Sequence, residues 1–225
     1  MIGIEGAAAL DITGLKFRYP GAERDVIDIP ALQLGAGEQA LLTGGSGRGK
    51  TTLLYLIAGL MEPTAGEVRV AGRRIHELRG PPRDLFRGRT IGMIFQTFHL
   101  LHGFSALENV MAAMMFSQIP KKEHAGRARA LLNRLGIDRV DAEPEKLSVG
   151  QQQRVAVARA VACDPVLVLA DEPTASLDPE NAGEAMDLIQ EVCREKKAAL
   201  LCVSHDPAMK EQFTRRQRLE DMAAA

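Results

Sequence analysis

The sequence predicts an α/β fold with a mostly parallel sheet, an N-terminal antiparallel β portion and an inserted helical subdomain. Three observations predict it. Short all-apolar runs, VLVLA at 166–170 and AALLCV at 198–203, alternate with amphipathic helical stretches, as strands buried on both faces do. LDITGLKFRY at 10–19 and DVIDIPALQL at 25–34 instead alternate with a period of two, as half-buried strands do. From about 98 to 162 mainly helical spacing appears, which breaks the strand–helix alternation. The 225 residues are expected to form a single domain with that insertion.

Each element follows in order. EQALLTG runs into GSGRGK, and KTTLLYLIAGL has helical spacing closed by Gly59, so strand, glycine loop and helix succeed one another. GEVRVAG is a short strand and turn. Residues 73–89 carry six arginines around Pro81-Pro82 and are expected as a solvated strand-turn region. TIGMIF is an apolar strand ending at Gln96. The 105–135 stretch is helical in two pieces separated by Pro120. A helix over 151–162 ends at Asp164-Pro165, and PENAGEAMDLIQEVCREK is an amphipathic helix between the last two buried strands.

Composition excludes several classes. A net charge of −1 gives no global bias toward nucleic acid, and the arginine stretch is interrupted by Glu77 and Asp84 without aromatic stacking partners, so no nucleic acid is expected. The three cysteines fit no zinc or disulfide spacing and read as reduced core residues of a cytosolic protein. The N-terminus has no basic run before its apolar residues, and no apolar run approaches the roughly 18 residues that a membrane helix needs.

GGSGRGKT at 44–51 fits G-x-x-x-x-G-K-[ST] between a strand and a helix, which marks a P-loop NTPase core. Glycines let backbone N–H groups turn toward phosphate, and the helix N-terminus adds partial positive charge. The predicted nucleotide-binding set is Gly44, Gly45, Ser46, Gly47, Arg48, Gly49, Lys50, Thr51 and Thr52. Lys50 is expected on the β- and γ-phosphates and the Thr51 hydroxyl on Mg²⁺. VLVLADEPT delivers Asp171 and Glu172 at the carboxyl end of a buried strand, where open α/β sheets bind ligands. Asp171 suits Mg²⁺, directly or through water, and Glu172 suits a general base that orients water. His205 ends the next strand in LLCVSHD and suits polarising or positioning rather than taking a proton. Gln96 suits contact with Mg²⁺ or the lytic water. Ser148-x-x-Gln151 in LSVGQQQR is a capping box, and it leaves a second anion-binding helix N-terminus.

Together, GGSGRGKT, Gln96, LSVGQQQR, VLVLADEPTASLD and SHD resemble the nucleotide-binding subunit of ABC transporters across nearly the whole chain. FQTFHLL and QQQRVAVARA look most like the branch serving lipoprotein release, macrolide export and cell division. The resemblance implies an ATPase that binds ATP and Mg²⁺, forms an ATP-dependent head-to-tail homodimer and drives a separate integral membrane permease from the cytoplasmic face of the inner membrane. It also implies that Ser148, Val149, Gly150 and Gln151 act in trans on the partner's γ-phosphate, that Ser176, Leu177 and Asp178 form the D-loop, and that Tyr19 stacks on adenine. Val149 departs from the family's usual glycine. The alternative is an ATPase of the same fold that transmits force to cell-envelope enzymes through a membrane partner that moves no substrate. Of the apolar residues after Gln96, Leu101 and Phe104 are expected to face a helix of the permease, and Met111 and Met115 to pack the subdomain core.

Overall fold

A computed structural model describes residues 8–45 and 47–222. In chain order these form β1 (Leu10–Phe17), β2 (Ile27–Leu34), β3 (Gln39–Thr43), α1 (Lys50–Ile57), β4 (Ala65–Val70) and β5 (Arg73–Arg74). There follow α2 (Pro81–Thr90), β6 (Ile91–Ile94), α3 (Ala106–Met114), α4 (Lys121–Arg134) and α5 (Val149–Val161). The chain closes with β7 (Leu167–Asp171), α6 (Pro179–Lys196), β8 (Ala199–Ser204) and β9 (Arg215–Arg218).

Strands fall into two sheets. An antiparallel sheet has the order β2-β1-β4-β5, and a parallel sheet has the order β6-β7-β8-β3-β9. The central parallel strands β3, β7 and β8 are buried on both sides because alternate residues enter different cores. Leu42, Leu169 and Leu201 pack with the antiparallel sheet and α1. Leu41, Val168, Ala170 and Leu200 pack beneath α3, α4, α5 and α6. The close seat of α5 on β6 depends on Gly92, where a Cβ would lie 2.2 Å from the Ala160 carbonyl oxygen. No larger residue fits there.

Three expectations are corrected. Residues 81–90 are helical rather than strand-turn, because Pro81 and Pro82 occupy the first turn, where the missing N–H groups have no helical partner anyway. The flanking arginines are not free either: Arg79 and Arg83 pair with Glu62, Arg74 with Glu67 and Glu77, and Arg87 with Asp84. Met115 is 72% exposed rather than core, and Met114 is the buried neighbour. Helical rotation of about 100° per residue separates the two. One strand was also missed. β9 has the sequence RRQR and no apolar residue; it joins the sheet edge through main-chain bonds to β3. Cys193 and Cys202 are buried free thiols, and burial pushes Cys193 up to about 12, so it stays protonated and inert.

Candidate functional site

The order of the parallel sheet decides what can meet. β8 lies between β3 and β7, so the loops leaving their carboxyl ends stand side by side. β3 feeds the glycine loop. Gly49 sits at φ +89°, and a Cβ there would lie 2.8 Å from Val26 Cγ1 and 3.1 Å from the Val26 carbonyl oxygen. Only glycine meets both constraints. Gly49 is also the N-cap of α1 and supplies no side-chain cap, which leaves the first-turn N–H groups turned toward the loop. Lys50 is 7% exposed, and its Nζ donates to the Gly44 and Gly45 carbonyl oxygens at 2.9 and 3.1 Å. A buried ammonium requires such oxygen partners. It also lies 3.5 Å from Glu172 Oε1.

β7 delivers two carboxylates. Burial raises the Asp171 carboxyl above its usual range, and the Glu172 charge adds to the rise, while a hydrogen bond from Thr51 and the Lys50 charge oppose it. Glu172 follows at φ +46°, a conformation that costs a non-glycine residue energy and recurs at functional sites. Its side chain is held from several sides. Ser204 Oγ donates to Oε2 at 2.8 Å, the His205 N–H reaches Oε1 at 3.0 Å, and His205 Nδ1 lies 2.7 Å from Oε1. Ser204 was not singled out in the sequence. Its one available signal was a hydroxyl at the end of an apolar strand, next to His205.

These side chains share one cavity of about 450 Å³. Tyr19, Gly47, Gly49, Lys50, Thr51, Thr52, Gln96, Asp171, Glu172 and His205 line it, as does Val26. Tyr19 is 43% exposed, its hydroxyl bonds Thr52 Oγ1 at 2.8 Å and its ring meets Phe17 edge-on. Gln96 is exposed beyond β6, and its carbonyl oxygen accepts from Ser176 Oγ at 2.9 Å. That bond ties the segment Ser176, Leu177 and Asp178 to the cavity rim. Gly44, Gly45 and Arg48 lie on the same loop but do not line the cavity. The Gly45 N–H instead donates to Glu220 Oε1 at 3.0 Å, a contact from the far end of the chain that no motif announced. Ser46 lies outside the described residues.

The second group of predicted residues stands apart. Ser148 is the N-cap of α5, with both halves of the capping box formed: its Oγ accepts from the Gln151 N–H at 3.3 Å, and its own N–H donates to Gln151 Oε1 at 3.0 Å. Val149 is 48% exposed and Gly150 half-buried. None of the four lines the cavity. On the segment after Gln96, Phe98 and Leu100 are buried, whereas Leu101 and Phe104 are 44% and 47% exposed. Buried Asn109 fixes this segment: its side chain accepts from the Leu101 N–H and donates to the Leu101, Phe104 and Ser105 carbonyl oxygens.

Comparison with known proteins adds a family. Residues 27–175 match the ABC transporter family. The chain is 42% identical over 214 residues to the lipoprotein-releasing system ATP-binding protein LolD of Chromohalobacter salexigens, covering 94% of this chain and 90% of that protein. It is 38% identical to the macrolide export ATP-binding/permease protein MacB of Salmonella typhi, covering 95% of this chain and 33% of that larger protein. Among solved structures, a dimeric post-hydrolysis state of the ATP-binding cassette MJ0796 bound to ADP and Pi superposes with a TM-score of 0.83 at 31% identity, covering 96% of each chain.

Proposed function

The chain belongs to the ABC transporter family, and from that premise we propose that it is the ATP-hydrolysing motor subunit of a membrane transport system. The observation that carries this reading is the convergence of Lys50, Thr51, Gln96, Asp171, Glu172 and His205 on one cavity. The uncapped start of α1 and the glycine loop take the phosphates. Lys50 exchanges its carbonyl partners for β- and γ-phosphate oxygens. Glu172 orients the attacking water and accepts its proton, while His205 and Ser204 hold the carboxylate at the correct angle. Tyr19 stacks on the adenine at the open side.

Mg²⁺ fits the donor set. Among the described residues no cluster of three or more histidine, cysteine, aspartate or glutamate side chains exists, which argues against a site made by protein alone. Mg²⁺ keeps waters and shares phosphate oxygens, so it needs few protein ligands, all of them hard oxygens. Thr51, Asp171 and Gln96 offer these on one cavity wall. When bound, the ion neutralises charge on the β- and γ-phosphates.

The sandwich completes the site. The Ser148 hydroxyl accepts one bond within its capping box and retains its own proton to donate, and the α5 N-terminus faces outward. In a head-to-tail dimer this terminus closes on the γ-phosphate of the partner chain and stabilises its charge, as an arginine finger does elsewhere. Glu172→Gln retains binding and loses hydrolysis. It accumulates as a dimer in ATP that disperses in ADP, measured by size exclusion with light scattering; a monomer at saturating ATP overturns the sandwich.

Among the described residues no helix is long and apolar enough to cross a membrane. In this reading the permease is a separate chain, and the subunit works on the cytoplasmic face of the inner membrane; the likeness to LolD over most of both chains supports that arrangement. Exposed Leu101 and Phe104, held on the segment that follows Gln96, take a short helix of that permease. Leu101→Glu with Phe104→Glu leaves basal ATPase within about twofold, since neither residue contacts the cavity, and removes stimulation by the permease. Loss of basal activity with partner binding retained places both residues in the fold instead.

A further inference from the structure

The row Gln151, Gln152 and Gln153 divides into three roles. Gln151 closes the capping box, and Gln152 donates to the Pro144 and Leu147 carbonyl oxygens of the incoming chain. Gln153 does something else. It is 2% exposed, and its Nε2 donates to the Pro173 carbonyl oxygen at 2.8 Å. Pro173 is the residue after Glu172, whose own backbone sits at φ +46° with its N–H bonded to the Val203 carbonyl oxygen at 3.0 Å. Gln153 therefore joins α5, close to the terminus that carries Ser148, to the strained turn that carries the catalytic carboxylate.

We infer that Gln153 is a positioning residue that sets the Glu172 turn of its own chain from α5, acting through the Pro173 carbonyl. This rests on the sandwich reading. Under that reading Ser148 of a chain serves the partner's site, while Glu172 of the same chain serves its own. The Gln153 bond is then a rigid link, a few residues long, between a group working in one site and a group working in the other. The bond holds the Pro173 carbonyl against α5, and the turn at Glu172 is held with it. Glu172 has little freedom to relax elsewhere, because Ser204 and His205 hold its two oxygens. An amide suits this role. It is neutral, so burial costs little once bonded, and its donor reaches a carbonyl that would otherwise be buried without a partner.

Two chains separate this from a local effect on α5. One carries Ser148→Arg and keeps its own glycine loop and Glu172. The other carries Lys50→Ala and keeps its Ser148. Each is inactive alone, and mixing yields a dimer with one complete site. The Lys50→Ala chain is titrated against a fixed amount of the first until ATPase reaches a plateau. Gln153→Met, which keeps the chain length and removes the donor, is then placed in either chain. In the chain that supplies Glu172, whose own Ser148 is already disabled, the variant lowers the plateau by about ten- to a hundredfold, the range for a misplaced catalytic group, with KM for ATP unchanged. In the chain that supplies Ser148, it leaves the plateau within about twofold and shifts only the amount needed for half-saturation; reaching that plateau shows that the variant folds. An unchanged plateau with the variant in the Glu172 chain overturns the inference, as does an equal loss from both placements, which marks a general packing role. A parent pair that shows no ATPase before Gln153 is touched overturns the sandwich reading, and the inference with it.

Discussion

The starts of α1 and α5, both assigned to phosphate in the proposed function, are built in opposite ways. α1 begins on Gly49 without any side-chain cap, so its first-turn N–H groups have no side-chain partner from the N-cap. α5 begins on Ser148 with a complete capping box and is stable without one. A third start, that of α3, sharpens the contrast. Ser105 caps it in the same manner as Ser148, but the reciprocal residue is Glu108 rather than an amide. In the proposed function one terminus binds phosphate in its own chain, one presents itself to phosphate from outside, and one binds none. The capping chemistry follows that division: no side chain, a neutral amide, a carboxylate. A carboxylate would repel phosphate, and an uncapped start would leave an isolated chain with unsatisfied donors.

The largest break in this comparison comes at α1. Lys50→Ala removes the buried cation from the phosphate loop and leaves Glu172 without that partner. ATPase is expected to fall by at least about 10²-fold, in line with loss of a preorganised transition-state contact, with weaker nucleotide binding by fluorescence titration. Normal turnover rejects the P-loop assignment.

A smaller effect tests the amide. Gln151→Glu gives α5 the cap of α3. A carboxylate near a helix N-terminus adds up to about 1 kcal/mol to the isolated chain, so thermal stability holds or rises slightly. The same charge opposes the partner's γ-phosphate, and ATP-dependent dimerisation is expected to weaken by about tenfold. Unchanged dimerisation means that the α5 terminus is not at the phosphate.

The smallest effect is one of pH. The Ser105 backbone and hydroxyl bonds hold the Glu108 carboxyl below its usual range. A lowered folded value means that the stabilisation is present above the unfolded value of about 4.3 and is lost as pH falls through the folded value. Gln151 does not titrate. Amide exchange at Glu108 and Asn109 is therefore expected to lose protection, relative to Gln151 and Gln152, as pH falls from about 5 toward 3. Equal loss at both helices means that global acid unfolding dominates.

Much of the fold was legible because local rules wrote it. Helix α6 begins at Pro179 and ends at Lys196, as its amphipathic spacing requires, and the capping box at Ser148 forms as its residue types require. Strands β7 and β8 are apolar enough to name themselves. β9 was not, since RRQR holds its place by main-chain pairing with β3 and by polar contacts such as Arg215 with Glu38, and hydropathy carries no trace of either. Nor does periodicity separate Phe98 and Leu100, which are buried, from Leu101 and Phe104, which are not. Asn109 makes that division through four hydrogen bonds, from a position where a lone asparagine carries no pattern.

By itself the sequence determined which residue types can handle phosphate and which local conformations carry them: a glycine loop before a helix, carboxylates after an apolar strand, a serine and amides at a helix start. These depend on neighbours within a few residues, where backbone sterics and capping act. The tertiary structure alone decided that Lys50 lies 3.5 Å from Glu172, that Ser204 holds the same carboxylate, that Glu220 reaches Gly45 and that Gln153 reaches Pro173. Each of these contacts joins segments far apart in the chain. They exist because β8 sits between β3 and β7, because β9 pairs with the other side of β3 and because α5 packs close over β6, and strand order in a parallel sheet is set by the burial of whole faces rather than by any short stretch of residues.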